Sequence, residues 1–312
     1  MSSASVQCYS PSDYFSLPAG PSTWLLRPII PASGSAILWG DPKTGKSSLA
    51  VQLVLALISP TSFLGFTPDH QARVLYLQID APRSLWRERL GLITAPPPDW
   101  DRWLRLADKQ TCPYPFNIRH LDHAVALKDA VAAWSPELVI VDTLRESYRG
   151  SENDTDIAQQ TFSSFVVACH PSAILYVHHG KKPPSDASIE LGHMESSRGS
   201  TYYTGAVYTT LSLKAYRPTT DKATGRQVTR GKLTIKGRAI GDEEIKLVQD
   251  PSTFLWHLPT VAPDPFHDAI VTLLADPAYD TDRARAEALH AAYPQHSLEA
   301  CKMAISRARK GR

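Results

Sequence analysis

The sequence predicts an α/β domain in which a mostly parallel sheet carries helices on both faces. The first observation is that short apolar runs alternate with helical segments between residues 35 and 178. The second is that these runs contain few polar residues, which is typical of parallel strands buried on both sides. The third is composition, because a chain of 312 residues that is 43% hydrophobic and 21% charged has room for one large domain with a sizeable core.

Strands and helices can be assigned in order along this alternating part. The predicted strands are SAILWG (35–40), RVLYLQI (73–79), WLRLA (103–107), ELVIVD (137–142) and AILYVH (173–178). The predicted helices lie between them, over residues 45–58, 83–93, 121–133 and 156–168.

After about residue 195 the pattern changes, because apolar runs follow one another without helices between them. They predict antiparallel hairpins that extend the edge of the sheet. These strands are expected at residues 205–215, 231–237, 244–250 and 253–258.

Both ends of the chain differ from the domain between them. Residues 1–34 are rich in Ser and Pro and predict an extended lead-in, so the main domain is expected over 35–258. A Pro-rich linker follows at 259–265, and residues 266–312 predict three short helices. The basic end of this last region fits either a small helix-turn-helix that contacts DNA or a solvated helix.

Net charge, the apolar runs and the cysteines argue against a globally basic nucleic-acid-binding protein, a membrane-spanning protein and a secreted protein. The net charge of +2 gives no global argument for nucleic acid, so any basic surface must be local. The longest apolar run, residues 49–58, is too short to span a bilayer, and the N-terminus shows no signal peptide. Four scattered cysteines without a Cys-x-x-Cys motif predict reduced thiols in a cytoplasmic protein with no membrane partner.

The stretch GDPKTGKS (40–47) matches the Gly-x-x-x-x-Gly-Lys-Ser phosphate loop, and it follows a predicted strand and opens a predicted helix. Its glycines let the backbone N–H groups turn inward, and the helix N-terminus adds a positive field. Lys46 is expected to reach the β- and γ-phosphates of ATP, and Ser47 to hold Mg²⁺. The predicted nucleotide contacts are Gly40, Asp41, Pro42, Lys43, Thr44, Gly45, Lys46, Ser47 and Ser48.

Two further carboxylates complete a hydrolytic site. Asp142 ends the apolar run LVIVD, and the carboxyl end of a parallel strand abuts the phosphate loop, so Asp142 is expected to hold Mg²⁺ as well. A carboxylate must also orient the attacking water. Asp80 is one candidate, because it follows the predicted strand 73–79, the first strand after the phosphate-loop helix. It also fits an N-cap for the helix that begins near Pro82. Glu146 is the competing carboxylate.

Several of these segments together resemble one family. They are similar to the RecA-like ATPases and, among these, to the plasmid RepA-type hexameric replicative DNA helicases, with kinship to DnaB-type helicases. The resemblance covers about residues 20–258 and implies a RecA-like fold. It is carried by GDPKTGKSSLA (40–50), VLYLQIDAP (74–82), VDTLRESYRGSENDTD (141–156), YVHHGKK (176–182) and SRGSTYYTGAVYTTLSL (197–213). Asp80 stands where the family has a catalytic Glu, one methylene longer.

The resemblance assigns roles to residues that the phosphate loop does not explain. In the paired-His motif, His178 or His179 is expected to sense the γ-phosphate. The polar loop 180–200 is expected to face a ring channel and to bind single-stranded DNA through Lys181, Lys182 and Arg198.

The late strand LTIKGRAI (233–240) carries two cations, Lys236 and Arg238, which strand periodicity places on one face. DnaB-type enzymes have a similar Lys-x-Arg that reaches the γ-phosphate of the neighbouring subunit, which implies catalysis in trans within a homo-oligomeric ring, most often a hexamer. Arg198 is the rival for this role. The alternative is an edge strand that charged side chains protect from aggregation.

Three functions therefore stay open. The first is a ring helicase or translocase that moves along single-stranded DNA during replication. The second is a RecA- or KaiC-like regulatory or recombination ATPase that assembles with nucleotide but does not unwind DNA. The third is a small-molecule phosphotransferase, against which the Lys-x-Arg strand and the long polar loop argue.

Overall fold

The protein is seen here as a computed structural model that describes residues 8–17, 23–92, 99–179, 202–220, 227–238, 240–259 and 265–310. The chain forms two compact units, Met1–Leu258 and Pro259–Arg312. Within the described ranges, no helix is both long enough and apolar enough to cross a membrane.

The elements of the described residues are numbered in chain order. The strands are β1 Trp24–Leu26, β2 Ile30–Pro31, β3 Ser35–Gly40, β4 Val74–Gln78, β5 Leu104–Asp108, β6 Leu138–Asp142, β7 Ala173–His179, β8 Thr209–Ala215, β9 Thr219–Thr220, β10 Gln227–Gly237, β11 Ile240–Gln249 and β12 Trp256–His257. The helices are α1 Pro11–Ser16, α2 Lys46–Ile58, α3 Arg83–Gly91, α4 Trp100–Trp103, α5 Leu121–Trp134, α6 Thr155–Cys169, α7 Tyr202–Ala206, α8 Pro265–Ala275, α9 Asp282–Ala292 and α10 Leu298–Lys310, with a 3-10 helix at Leu144–Ser147.

The main sheet has the strand order β12-β11-β10-β8-β3-β7-β6-β4-β5, and β9 pairs with the far end of β10. From β8 to β5 every neighbouring pair is parallel, whereas β10, β11 and β12 add antiparallel strands on the other side. The predicted α/β class, with a mostly parallel sheet and antiparallel additions, is confirmed.

The parallel strands are buried on both faces because alternate side chains enter two different cores. In β3, Ala36 and Leu38 pack into the core that contains the apolar face of α2, whereas Ile37 and Trp39 pack into the core that contains α6. This arrangement explains why these strands lack the apolar–polar alternation of half-exposed strands. It also leaves their carboxyl ends as the place where polar side chains can collect.

Two predictions about the chain before and after the parallel strands are corrected. Residues 1–34 are not simply an extended lead-in, because the β1–β2 hairpin is antiparallel and buries Leu25 and Ile30 in the α2-side core. The predicted strand 205–215 starts instead with the end of α7. β8 pairs antiparallel with β10, as predicted, and its other edge pairs parallel with β3.

The C-terminal unit is a group of three helices with a core of its own. The buried side chains come from all three helices and are Ile270, Ala286, Leu289, Cys301 and Ile305. Apolar residues recur at helical spacing in each segment, so each helix buries one stripe against the other two.

Candidate nucleotide-binding site

The phosphate loop joins the carboxyl end of β3 to the first turn of α2. Gly45 adopts a left-handed conformation with φ of 83°, and Thr44 Oγ1 donates a hydrogen bond of 2.8 Å to the Asp41 carbonyl. A Cβ atom at Gly40 would lie 2.3 Å from the Leu213 carbonyl oxygen, so that position has no room for a side chain. The loop therefore has the tight curl that lets backbone N–H groups surround a phosphate.

The Lys46 side chain lies inside this curl and is only 5% exposed. Its Nζ donates to the carbonyl oxygens of Gly40 at 2.9 Å and Asp41 at 2.7 Å. Burial lowers the pKa of Lys46 to about 8, although the charges of Asp142, Asp41 and Asp80 oppose this shift. The amino group is thus held at the loop, where it would meet the phosphates.

Asp142, the last residue of β6, is fully buried beside the loop. Tyr76 donates its hydroxyl to Oδ2 at 2.7 Å, while Oδ1 accepts no hydrogen bond from the described part of the chain. Burial raises the pKa of Asp142, and hydrogen bonds from Tyr76 and Ser47 oppose the rise. A buried carboxylate oxygen without a protein donor, next to the Ser47 hydroxyl, suits a hard cation such as Mg²⁺.

Of the two carboxylates considered for water activation, Asp80 lies close enough to Lys46 and Asp142 for its charge to act on both. It lies exposed just after β4. Glu146 lies in the 3-10 helix and lines a small pocket together with Lys109. The capping alternative for Asp80 is wrong, because Pro82 occupies the N-cap position of α3 and no side chain caps that helix.

The two histidines lie on opposite faces of β7. His178 pairs with Trp39 and is buried, with its ring 5.1 Å from that of Tyr203 in an edge-on arrangement. His179 pairs with Gly40, the first residue of the phosphate loop, and is half-buried. Of the pair, His179 is adjacent to the loop and His178 belongs to the core on the α6 side.

Lys236 and Arg238 lie toward the other end of the sheet. Lys236 pairs with Thr210, which pairs with Ile37 in the first half of β3. The Arg238 backbone N–H donates to the Tyr208 carbonyl at 3.2 Å, and Tyr208 in turn donates to Ser35, the first residue of β3. Both cations therefore lie near the amino ends of the parallel strands, whereas the phosphate loop lies at their carboxyl ends.

The strand arguments for these two cations need correction. β10 ends at Gly237, and its pairing with β11 is irregular between Ile235 and Gly237, so regular alternation does not extend to Arg238. The edge-strand alternative is also wrong, because β10 lies between β8 and β11. Lys236 forms an ion pair of 2.6 Å with Asp242, and Arg238 donates to the Gly205 carbonyl at 3.3 Å. The predicted DNA contacts Lys181, Lys182 and Arg198 lie outside the described residues.

Sequence reasoning missed the residues that pack against the phosphate loop on the side away from the phosphates' expected position. Gln52 in α2 donates to the Trp256 carbonyl at 2.6 Å and accepts from the Trp256 N–H at 3.1 Å. A Cβ atom at Gly45 would lie 2.8 Å from Gln249 Nε2 and 2.8 Å from Trp256 Nε1. The last strands thus press directly on the phosphate loop, and no local signal announces a contact between residues 204 positions apart.

Two more missed residues affect the Asp142 carboxylate. Tyr76 is an apolar-strand residue by pattern, yet its hydroxyl points at Asp142. Arg89, on α3, contributes a positive charge that slightly offsets the effect of burial on the pKa values of Asp142 and Tyr76. Arg89 looks in the sequence like one of several charges on an exposed helix face.

Comparisons with known proteins agree with this geometry. A family model described as an AAA domain matches residues 10–185. The solved structure of the KaiC-like protein PH0186 from the hyperthermophilic archaeon Pyrococcus horikoshii OT3 matches with a TM-score of 0.51 and 11% identity, over 76% of this chain and 94% of that one. At that identity the likeness concerns the fold, which is RecA-like. No curated protein matches the chain.

Proposed function

We propose that this chain, which belongs to the AAA domain family, is a RecA-like P-loop ATPase that works as a ring-forming motor on single-stranded DNA. The family and the fold support ATP hydrolysis. The ring, the DNA and the unwinding of duplexes are the proposal. The observation that carries the proposal is the position of Lys236 and Arg238 at the end of the sheet remote from the phosphate loop of their own chain.

The residues at the loop divide the work of hydrolysis. Lys46 would exchange the carbonyls of Gly40 and Asp41 for phosphate oxygens, whose negative charge favours the protonated form of this buried amine. Ser47 and Asp142 would hold Mg²⁺, which neutralises the charge that develops on the phosphates. Asp80 would orient the attacking water, because its carboxylate is exposed and close to both Lys46 and Asp142.

Catalysis in trans follows from a simple distance argument. Arg238 is level with Ser35, five residues before Gly40 along β3. At about 3.3 Å per strand residue this is roughly 16 Å along the sheet, before the lateral step across two strands is added. A guanidinium at that distance does not reach the γ-phosphate of its own site. If Lys236 or Arg238 stabilises the transition state, it must do so in a neighbouring copy.

The link to DNA rests on chain continuity at His179. This residue pairs with Gly40, and the chain runs directly from it into the segment with Lys181, Lys182 and Arg198. A change in the loop on hydrolysis would therefore act first on the residue that precedes the proposed DNA contacts. These cations would bind the phosphate backbone without reading its sequence.

Mixed rings test the trans arrangement directly. Lys46→Ala removes the loop cation and Arg238→Ala removes the proposed finger, so each variant alone should lose ATP turnover. If the finger acts in trans, mixing the two should restore about a quarter of the wild-type rate, because random neighbours form an intact interface at that frequency. Arg217→Ala, an exposed cation outside the strands, is the control and should keep full activity.

Strand displacement and mass photometry with a non-hydrolysable ATP analogue separate the remaining functions. Rings that hydrolyse ATP faster with single strands and displace a duplex support the motor. Rings or filaments without displacement identify the assembling ATPase instead. Turnover per chain that stays constant on dilution below the assembly range contradicts both ring-based readings.

A further inference from the structure

None of the residues named above for the nucleotide-binding site belongs to the C-terminal unit, Pro259–Arg312. The three helices of this unit are joined by several hydrogen bonds. Asp282 accepts hydrogen bonds from Arg309 at 3.0 Å and from Arg285 at 3.1 Å, so one carboxylate joins α9 to α10. Arg285 also donates to the Leu273 carbonyl of α8 at 3.0 Å and is mostly buried. These bonds lower the pKa of Asp282 and tie all three helices to one point.

The short connection between α9 and α10 is fixed as well. His290 Nδ1 lies 2.7 Å from the His296 carbonyl, and the His296 ring stacks on Phe266 at 4.1 Å. Thr281 caps α9, and the Ser297 hydroxyl accepts from the Ala300 N–H at the start of α10. Two capped helices joined by a short connection and supported by a third helix have the element order of a helix-turn-helix.

Charge is distributed unevenly over this unit. Residues 298–312 carry five cations, Lys302, Arg307, Arg309, Lys310 and Arg312, and one acidic residue, Glu299. The acidic residues are concentrated before α10 in the chain and are Asp264, Asp268, Asp276, Asp280, Asp282 and Glu287. Although the unit as a whole is not basic, α10 is its positive side.

The outward face of α10 combines cations with one long apolar side chain. Lys302 and Arg307 are exposed and flank Met303, which is itself 51% exposed, while Ser306 lies one turn further on the same face. An exposed long apolar side chain between two cations suits a surface that makes both ionic and apolar contacts. The ion pair between Lys302 and Glu299 is on the surface and contributes little to stability, so Lys302 can exchange it for a contact with a ligand.

We propose that the C-terminal unit binds double-stranded DNA, with α10 as the helix that enters the major groove. A helix of 13 residues is about 20 Å long, and its diameter of about 10–12 Å matches a groove about 12 Å wide. Lys302 and Arg307 would contact phosphates, and Met303 would contact base edges such as the thymine methyl group. This site is separate from the proposed single-strand contacts and does not depend on hydrolysis.

The test is fluorescence anisotropy of the full chain with a labelled 25-base-pair duplex, without nucleotide, over a range of salt concentrations. The double variant Lys302→Glu with Arg307→Glu should bind the duplex at least about tenfold more weakly and should lower the slope of log affinity against log salt by about two. The matched control reverses two exposed cations elsewhere, Arg283→Glu with Arg217→Glu, and should keep most of the affinity.

A second variant separates the ionic from the apolar contact. Met303→Ala should weaken duplex binding and leave the salt slope unchanged, because it removes no charge. Since Lys302, Met303 and Arg307 are exposed, circular dichroism melts of all variants should match the parent. The proposal is overturned if the α10 and control variants bind equally, or if the full chain binds only single strands, RNA or no nucleic acid. ATP turnover, measured in parallel, shows separately whether the proposed function holds.

Discussion

The two halves of the main sheet are built differently and do different work. From β8 to β5 the strands are parallel, buried on both faces, and carry their reactive side chains at one end. From β10 to β12 the strands are antiparallel and partly exposed, with an irregular register near Gly237. Lys46, at the start of α2 after β3, and Asp142, at the end of β6, lie at the carboxyl ends of the strands in the first half. The second half holds the loop from behind through Gln249 and Trp256 and carries Lys236 at its remote end.

This difference shows that chemistry and support can be separated within one sheet. A parallel half concentrates polar groups because all its strands end on the same side. An antiparallel half has strand ends on both sides, so a single strand can contact the loop at one end and the opposite edge of the sheet at the other. Four variants, in order of expected effect, test how far the two roles are independent.

Asp142→Asn should have the largest effect, because it removes the charge proposed to hold Mg²⁺ while its amide oxygen can still accept from Tyr76. ATP turnover at saturating Mg²⁺ should fall by at least about a hundredfold. Without nucleotide, the melting temperature should not fall, since burial opposes the charge of this carboxylate. A variant that turns over ATP normally would remove Asp142 from the site.

Gly45→Ala tests whether the antiparallel half controls the loop. The new methyl group would meet Gln249 and Trp256 at 2.8 Å in a left-handed backbone conformation, so the loop must shift. We expect ATP affinity to fall about tenfold or more in a fluorescent-nucleotide titration. Gly91→Ala is the control, because a Cβ atom there meets nothing within 4 Å.

Gln52→Ala breaks the direct connection between α2 and β12. It removes two hydrogen bonds to the Trp256 backbone and leaves both partners unsatisfied in a partly buried place. The free energy of unfolding in urea should fall by about 1–3 kcal/mol. Gln227→Ala loses only an exposed bond to Thr220 and should change stability little. Equal stability of the two variants would show that the hydrogen bonds between Gln52 and the Trp256 backbone do not stabilise the fold.

Lys46→Met should lose ATP turnover like Lys46→Ala, but its effect on stability should be small and strongly dependent on pH. The pKa of Lys46 is about 8 in the folded protein against 10.5 for a free lysine, so below pH 8 the fold carries a buried charge at a cost. That cost fades as the pH rises from about 8 toward 10.5. The variant should therefore gain stability over the parent at pH 7, on the order of 1 kcal/mol, and the gain should shrink by pH 9.5. Lys43→Met, an exposed change in the same loop, should show no such trend.

The sequence predicted the parallel half closely because its signals are local. Buried strands bounded by Gly or Asp, and helices that open at Lys46 or close near Cys169, are set by neighbouring residues. The same reasoning located the phosphate loop and placed Asp142 at a strand end beside it. It could choose neither between Asp80 and Glu146 nor between His178 and His179, because those choices depend on register across the sheet.

The failures have a common physical cause, which is that long-range contacts leave no trace in a short window. The β1–β2 hairpin is brief and interrupted by proline, so its burial depends on the α2-side core that covers it. The pairing of β8 with β3, which joins the antiparallel strands to the parallel part of the sheet, cannot be read from the residues of β8. The bonds between Gln52 and Trp256 require the whole fold before either residue has a partner.

β11 connects the neighbourhood of Lys236 with the phosphate loop. β11 begins at Ile240, two residues before the Asp242 that holds Lys236, and runs without a break to Gln249 at the back of Gly45. Extended chain of this kind resists stretching, so a displacement at one end reappears at the other. If the proposed ring forms, nucleotide binding at one site would shift the Lys236 side chain that reaches the next site. The sites would then hydrolyse ATP in sequence around the ring instead of at random.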